Sequence, residues 1–297
     1  MLRKLAIVGA ALALGGCASV TSPAGNSAGR PSASPSGASS SNRAVAVRDE
    51  QHIIASFRPP AGAKRLPGRP TGAGSLNQST FTGMPSDTVH GTQWWAVGGD
   101  PQAVLARLAV PKGASKGGSS QSDREWSQDF SWTPIPAVLY DRLLEASTMA
   151  VDGRTVIRVD AEVIWYPTRP PASLIPAGVS AVTVTYRPVA MTPSVKTYGP
   201  VNVTDPATVA ALVKAVNDDP VNPIGTAIPC PFDGGGRMTL TFRSTAKTVA
   251  TTSIETAGCG FVSVAATGGG KATLIAGADL AKKMKSLIGV DWPDSVK

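Results

Sequence analysis

The clearest periodicity in the chain lies between Thr155 and Trp165. Ile157, Val159, Ala161, Val163 and Trp165 alternate with Arg158, Asp160, Glu162 and Ile164. A period of two over this length predicts a strand with one face in the core and one in water. Asp152-Gly153 just before it has the composition of a two-residue hairpin turn, so Leu143 to Val151 is the expected partner strand. Helix remains an alternative for that partner, because Leu143, Leu144, Ala146 and Met149 do not alternate cleanly.

Further strands are predicted at Thr92–Val97, Asp129–Trp132, Ala181–Tyr186, Lys196–Val203, Met238–Phe242, Val249–Ile254 and Phe261–Ala265. Helical spacing appears three times. Asp100-Pro101 supplies a cap and a first-turn proline for a short helix carrying Val104, Leu105 and Leu108. Thr204 or Asp205 with Pro206 opens a second, striped by Val209, Leu212, Val213 and Val216 and stopped by Asn217-Asp-Asp-Pro220. In the third, about 278–288, Leu280, Met284, Leu287 and Ile288 share a face, with Lys282, Lys283 and Lys285 placed off it. Lys112 to Ser122 is polar and Gly-rich and reads as a loop. Strands outnumber helices in both halves, so the fold class is α+β, with mostly antiparallel sheets and a few short helices. Four prolines between 167 and 176 mark a joint, which predicts two sub-domains, 49–170 and 171–297.

The N-terminus follows another logic. Arg3 and Lys4 precede the apolar run Leu5–Leu14, which ends in Gly15-Gly16-Cys17. As a helix that run spans about 15 Å, half a bilayer's hydrocarbon core, so it reads as a signal peptide over 1–16 rather than a membrane span. Leu14-Gly15-Gly16-Cys17 resembles the lipobox of bacterial lipoproteins. The resemblance implies diacylation of the Cys17 sulfur, cleavage before it, and an anchor on the extracytoplasmic face of the cell membrane. A plain secretory signal cleaved elsewhere is the rival. Two or three acyl chains hold a protein firmly where one does not. From Ala18 to about Asn42 the chain is nearly all Ser, Gly, Ala, Pro, Thr and Asn, so 17–48 is taken as a flexible linker.

With Cys17 lipidated, Cys230 and Cys259 remain. Two thiols in an exported protein pair by default, and no CxxC spacing or neighbouring histidine favours a metal or redox pair. Trp94-Trp95 before a Pro-started helix, Arg158-Val-Asp-Ala-Glu-Val-Ile-Trp165, Cys230-Pro231-x-Asp233-x-Gly235, Leu240-Thr-Phe242 and Gly258-Cys259 occur together. In this the chain resembles a set of uncharacterised exported or lipoprotein sequences from actinobacteria. That resemblance implies envelope location and a shared fold. It brings no activity and no site residues.

Composition narrows the rest. With 42% apolar and 16% charged residues in 297, the chain can build a real core. The net charge of +8 comes from scattered lysines and arginines. It suits solubility or contact with acidic wall polymers, and no basic motif points to nucleic acid.

Candidate chemistry is sparse. Asp160 and Glu162 lie two apart on one strand face, roughly 6–8 Å between carboxylates, a spacing suited to an inverting glycosidase. The simpler reading is a solvated outer face on which Arg158, Asp160 and Glu162 neutralise one another. Ser244-Thr-Ala-Lys247 matches an SxxK pattern, but it falls between two strands rather than at a helix start. His52 and His90 read as surface residues, one near the linker and one in a loop. Gly234–Gly236 and Gly268–Gly270 lack a phosphate loop's Lys and read as hairpin loops. Trp94, Trp95, Trp126, Trp132 and Trp165 suit either a core or a sugar groove. No catalytic residue, cofactor or metal ligand is assigned. The expected function is a non-enzymatic, membrane-anchored module binding a wall polymer or another exported protein, with an envelope hydrolase acting on wall glycan or peptide as the alternative.

Overall fold

A computed structural model describes residues 37–74, 76, 87–122, 124–190, 195–224, 235–245, 247–275 and 277–296. Fourteen strands and four helices are seen among them. The first six strands are β1 (Lys64–Leu66), β2 (Thr88–Val97), β3 (Ser115–Gln121), β4 (Glu125–Ser131), β5 (Leu139–Val151) and β6 (Arg154–Trp165). They form one antiparallel sheet in the order β1-β2-β6-β5-β4-β3. Asp152 and Gly153 both take positive φ, 48° and 74°, and close the β5–β6 hairpin as the sequence predicts.

One face of this sheet is apolar and is covered by helices α1 (Gly37–Ser56) and α2 (Pro101–Ala106). Ala46 and Ile53 of α1, and Phe57 just after it, pack on Ile157, Val159, Ala161, Val163 and Trp165. Arg142 of β5 grips Asp49 of α1 through two hydrogen bonds of 2.6 and 2.7 Å. The chain is therefore helical from Gly37, where the sequence reading carries the flexible linker to residue 48. The apolar positions of this helix are spaced too sparsely among Ser, Arg and Glu to reveal it. Asp100 accepts from the Ala103 amide at 2.9 Å, so α2 starts where its cap and proline place it.

The Lys112–Ser122 loop is likewise corrected, since most of it is β3. Every residue of that strand is exposed, and it pairs only through β4. An edge strand with no buried face leaves no alternation to read.

The second half holds β7 (Ala181–Arg187), β8 (Val189–Ala190), β9 (Tyr198–Val203), β10 (Arg237–Ser244), β11 (Lys247–Glu255), β12 (Val262–Ala266), β13 (Lys271–Leu274) and β14 (Ser295–Val296). Six of them make a second antiparallel sheet, β13-β12-β11-β10-β7-β9, while β8 and β14 pair separately in parallel. Here alternation holds. Val182, Val184, Tyr186, Met238, Leu240, Phe242, Ile254, Val262 and Val264 share a core with α3 (Pro206–Asn217) and α4 (Gly277–Ile288). Asp205 caps α3 by accepting from the Thr208 amide at 2.8 Å.

Lys285 of α4 departs from expectation. It is buried, its ammonium donates to the Trp292 carbonyl at 3.0 Å and pairs with Asp294, and it lies over the Tyr186 ring. A tail folding back over α4 makes a buried cation tolerable where helical periodicity alone puts it in water.

The proline-rich joint is fastened rather than loose. Arg169 donates to the Ser173 carbonyl at 3.0 Å and to the Val216 carbonyl, and Asn217 brackets Ile175 by donating to its carbonyl and accepting from its amide. The described residues group as one compact unit. The architecture is mostly antiparallel sheet with four short helices, as α+β requires.

Replacing the α3 cap by Asp205→Ala leaves the Thr208 amide without its partner. The expected outcome is a loss of stability, read as a lowered urea midpoint at unchanged slope.

Candidate functional site

The two sheets treat their second faces differently. The second sheet follows period two, whereas β6 is buried on both sides from Thr155 to Trp165. Asp160 and Glu162, expected on a solvated outer face, are 1% and 2% exposed. The reason lies in their neighbours. At one end of that face Ala73 and Leu76 pack with Met149, Val151, Val156 and Trp94, and Arg158 donates to the Leu76 carbonyl at 2.6 Å. A segment far away in sequence lies across a face that strand periodicity leaves open.

Register sets out the rest of the face in rows. Thr92, Asp160, Glu145 and Asp129 stand opposite one another across β2, β6, β5 and β4. One row along come His90, Glu162, Leu143 and Ser131; on the other side come Trp94, Arg158, Ser147 and Ser127. Three carboxylates in direct cross-strand succession repel one another. Arg158 answers part of this. Its guanidinium meets Asp160 at 2.6 and 2.9 Å and stacks over Trp94 at 5.6 Å. Thr92 donates to Asp160 at 2.6 Å, and the His90 ring lies 3.1 Å from the same oxygen.

The resulting electrostatics divide the two carboxyls. Burial alone would raise Asp160, but hydrogen bonds from His90, Thr92 and Arg158, with the guanidinium charge, hold it below the ordinary aspartate range. His90 is raised by its bond to Asp160, against the opposing pull of partial burial. Glu162 has no such company. Burial, with Asp141, Asp160 and Glu145 adding to it against His90, pushes it to about 7, and its Oε1 has no hydrogen-bond partner. Asp129, Glu125 and Asp141 are also raised, chiefly by burial, with Glu145 adding to the first two.

His90 is exposed, as expected, but lies on a strand rather than in a loop. It sits on β2 with 41% of its side chain exposed, at the open margin of the Glu162 row. Gly91 beside it has no Cβ to collide with the Glu50 carboxylate, which lets α1 close on β2.

The remaining candidates separate. His52 is exposed on α1. Ser244 pairs with Lys247 across the β10–β11 turn, so the SxxK residues hold no helix start. Gly268–Gly270 make the β12–β13 turn; Gly234 lies outside the described residues. Trp132 and Trp165 belong to the α1-side core, and Trp94, Trp95 and Trp126 are half-buried, so the five line no common groove. Cys17 and Cys230 fall outside the described residues. Cys259 sits in the turn after β11. Among the described residues no three His, Cys, Asp or Glu side chains converge as a metal ion requires, and no helix is long and apolar enough to cross a membrane.

Glu145 and Asp129 were missed from sequence, yet part of the signal is there. The two-residue turn at Asp152-Gly153 fixes the hairpin register, and Glu145 and Asp160 are equidistant from it. Comparison with protein-family models, curated proteins and solved structures finds no match.

Because Glu162 has a folded value near 7 against an ordinary 4.5, folding holds its proton while the unfolded chain releases it. Its contribution to stability therefore falls as pH rises from about 4.5 to about 7. Glu162→Gln should match the parent in stability at pH 4.5 and exceed it above pH 7, measured by denaturant unfolding across that range. Parallel curves at all pH values would show that the carboxyl is not held neutral.

Proposed function

We propose that this chain is a lipoprotein anchored through Cys17 to the extracytoplasmic face of the cell membrane. Its first sheet carries a ligand-binding site on the polar face of β6. The observation behind the binding site is the Glu162 carboxylate, almost wholly buried, without a partner on Oε1, and bordered by the half-exposed His90. Buried polar atoms are nearly always satisfied in folded proteins, so an orphan at the margin of an accessible row is a reason to look for a ligand. The anchor rests on the Leu14–Cys17 lipobox after a charged and apolar leader. Partners fitting that address are a wall polymer or another exported protein.

A Cys230–Cys259 disulfide belongs to the same reading, and Cys259 not being a free thiol supports it. The expected sub-domains 49–170 and 171–297 belong to this reading too, with the first extended back to include α1; that the core of the second sheet is separate from those of the first supports the division. Membership of the uncharacterised actinobacterial envelope set, which the Cys230-Pro231 and Gly258-Cys259 motifs resemble, is part of the same proposal.

The anchor is tested by mass spectrometry of the mature protein from membranes. The expected N-terminus is a diacylated or triacylated Cys17, and Cys17→Ser should move the protein out of the membrane fraction. An intact leader or an unmodified Cys17 thiol overturns it.

One observation favours a second reading as a wall-glycan hydrolase. Asp160 and Glu162 are driven apart in ionisation, as the base and acid of such an enzyme are. Against it, Asp160 is held by Arg158, His90 and Thr92 and has little capacity left for a water or a sugar. Incubation of the full chain with purified cell walls separates the two. Binding without release of soluble fragments is expected. Fragment release abolished by Glu162→Gln would establish the hydrolase instead.

A further inference from the structure

The polar face of β6 is strongly acidic on a chain that is basic overall. Asp129, Glu145, Asp160 and Glu162 occupy adjoining rows, with Glu125 and Asp141 on the same side of the sheet. The positive charge set against Glu162 comes from His90, and His90, like Arg158, is committed to Asp160. Glu162 is left over. Its Oε1 is buried, accepts nothing, and lies in the row that opens at His90.

Resting on the reading of this face as a binding site, we propose that Glu162 receives an organic cation, a primary ammonium or guanidinium group entering beside His90. Either group brings the N–H donors that Oε1 lacks, and a positive charge that offsets the repulsion Glu162 feels from Asp141, Asp160 and Glu145. A neutral hydroxyl would satisfy the orphaned oxygen but leave the repulsion. An anion would meet carboxylates on three strands. A metal ion needs several converging ligands, and the described side chains do not provide three.

Protonation competes with such a ligand. Bare, Glu162 relieves its burial by holding a proton near neutral pH; bound, it is ionised and the proton leaves. The groups facing it act in the same direction. His90 from β2 loses its opposing charge as pH rises, while Asp160 is held ionised by its bonds to His90, Thr92 and Arg158, and Asp141 and Glu145 face Glu162 from β5. Glu50 of α1 lies by His90 and is itself raised by burial, so it too gains charge with pH. Affinity for a cation therefore increases as pH rises through 7.

Titration calorimetry of the full chain with cadaverine (ammonium) and agmatine (guanidinium) tests this, alongside NMR of the His90 ring. The expected result is binding of at least one, tighter by about tenfold or more at pH 8 than at pH 5.5, with proton release near pH 7. The His90 signals should shift, and Glu162→Gln should weaken binding at least tenfold while remaining folded. The arm that binds better says which cation the site takes. Absence of binding by both amines, or binding indifferent to Glu162→Gln, overturns the inference. Glucose shifting the His90 signals when neither amine does would overturn the cation alone and keep the binding face. Silence from all three probes would remove both.

Discussion

The ion pair between Arg158 and Asp160 organises the first half of the molecule. Two residues of one strand, buried together, face each other along the pleat at 2.6 Å. A lone buried charge is so costly that it would neutralise or drive the strand outward. Paired, and further bonded to Thr92, His90 and the Leu76 carbonyl, the two charges let a face that begins polar in sequence be closed over in three dimensions. The Trp94 ring lies against the guanidinium, and the small apolar cluster around Met149 and Val156 builds on from there. Glu162, one alternation further on, is buried by the same closure without sharing in the compensation.

The second half is a useful contrast because, Lys285 apart, its packing follows the pattern of its strands. Its sheet turns Val184, Leu240 and Val264 toward α3 and α4 and Thr183, Thr185, Thr239 and Thr241 away. Local preference, pattern and tertiary packing agree there. In the first half they conflict along one strand, and such conflicts gather where a structure does something other than merely fold.

Legibility of the sequence followed the same division. Helices opened by Asp100-Pro101 and Asp205-Pro206 begin as their caps indicate, since capping is a contact between near neighbours. The Asp152-Gly153 turn and the β6 alternation were equally plain. What escaped depends on distant or absent partners. α1 is held on the sheet by Arg142, which lies 93 positions along the chain from Asp49. β3 has no buried face to announce it, and Lys285 is covered by a tail that returns over α4. For the site, the type and spacing of Asp160 and Glu162 were readable but their burial was not. Burial of that face involves Leu76 and Ala73, residues that no periodicity in β6 can indicate.

The β5–β6 hairpin also bears on how the molecule assembles. Its strands, thirteen and twelve residues long, join through a two-residue turn, so their pairing closes the smallest possible loop. Contacts between near neighbours in sequence form soonest, because little chain entropy is lost in making them. The salt-linked arginine and aspartate sit on the same strand of this ribbon and need no remote segment to meet. On this order of events β2, and with it the imidazole, docks onto a ribbon whose arginine and aspartate are already within reach of each other.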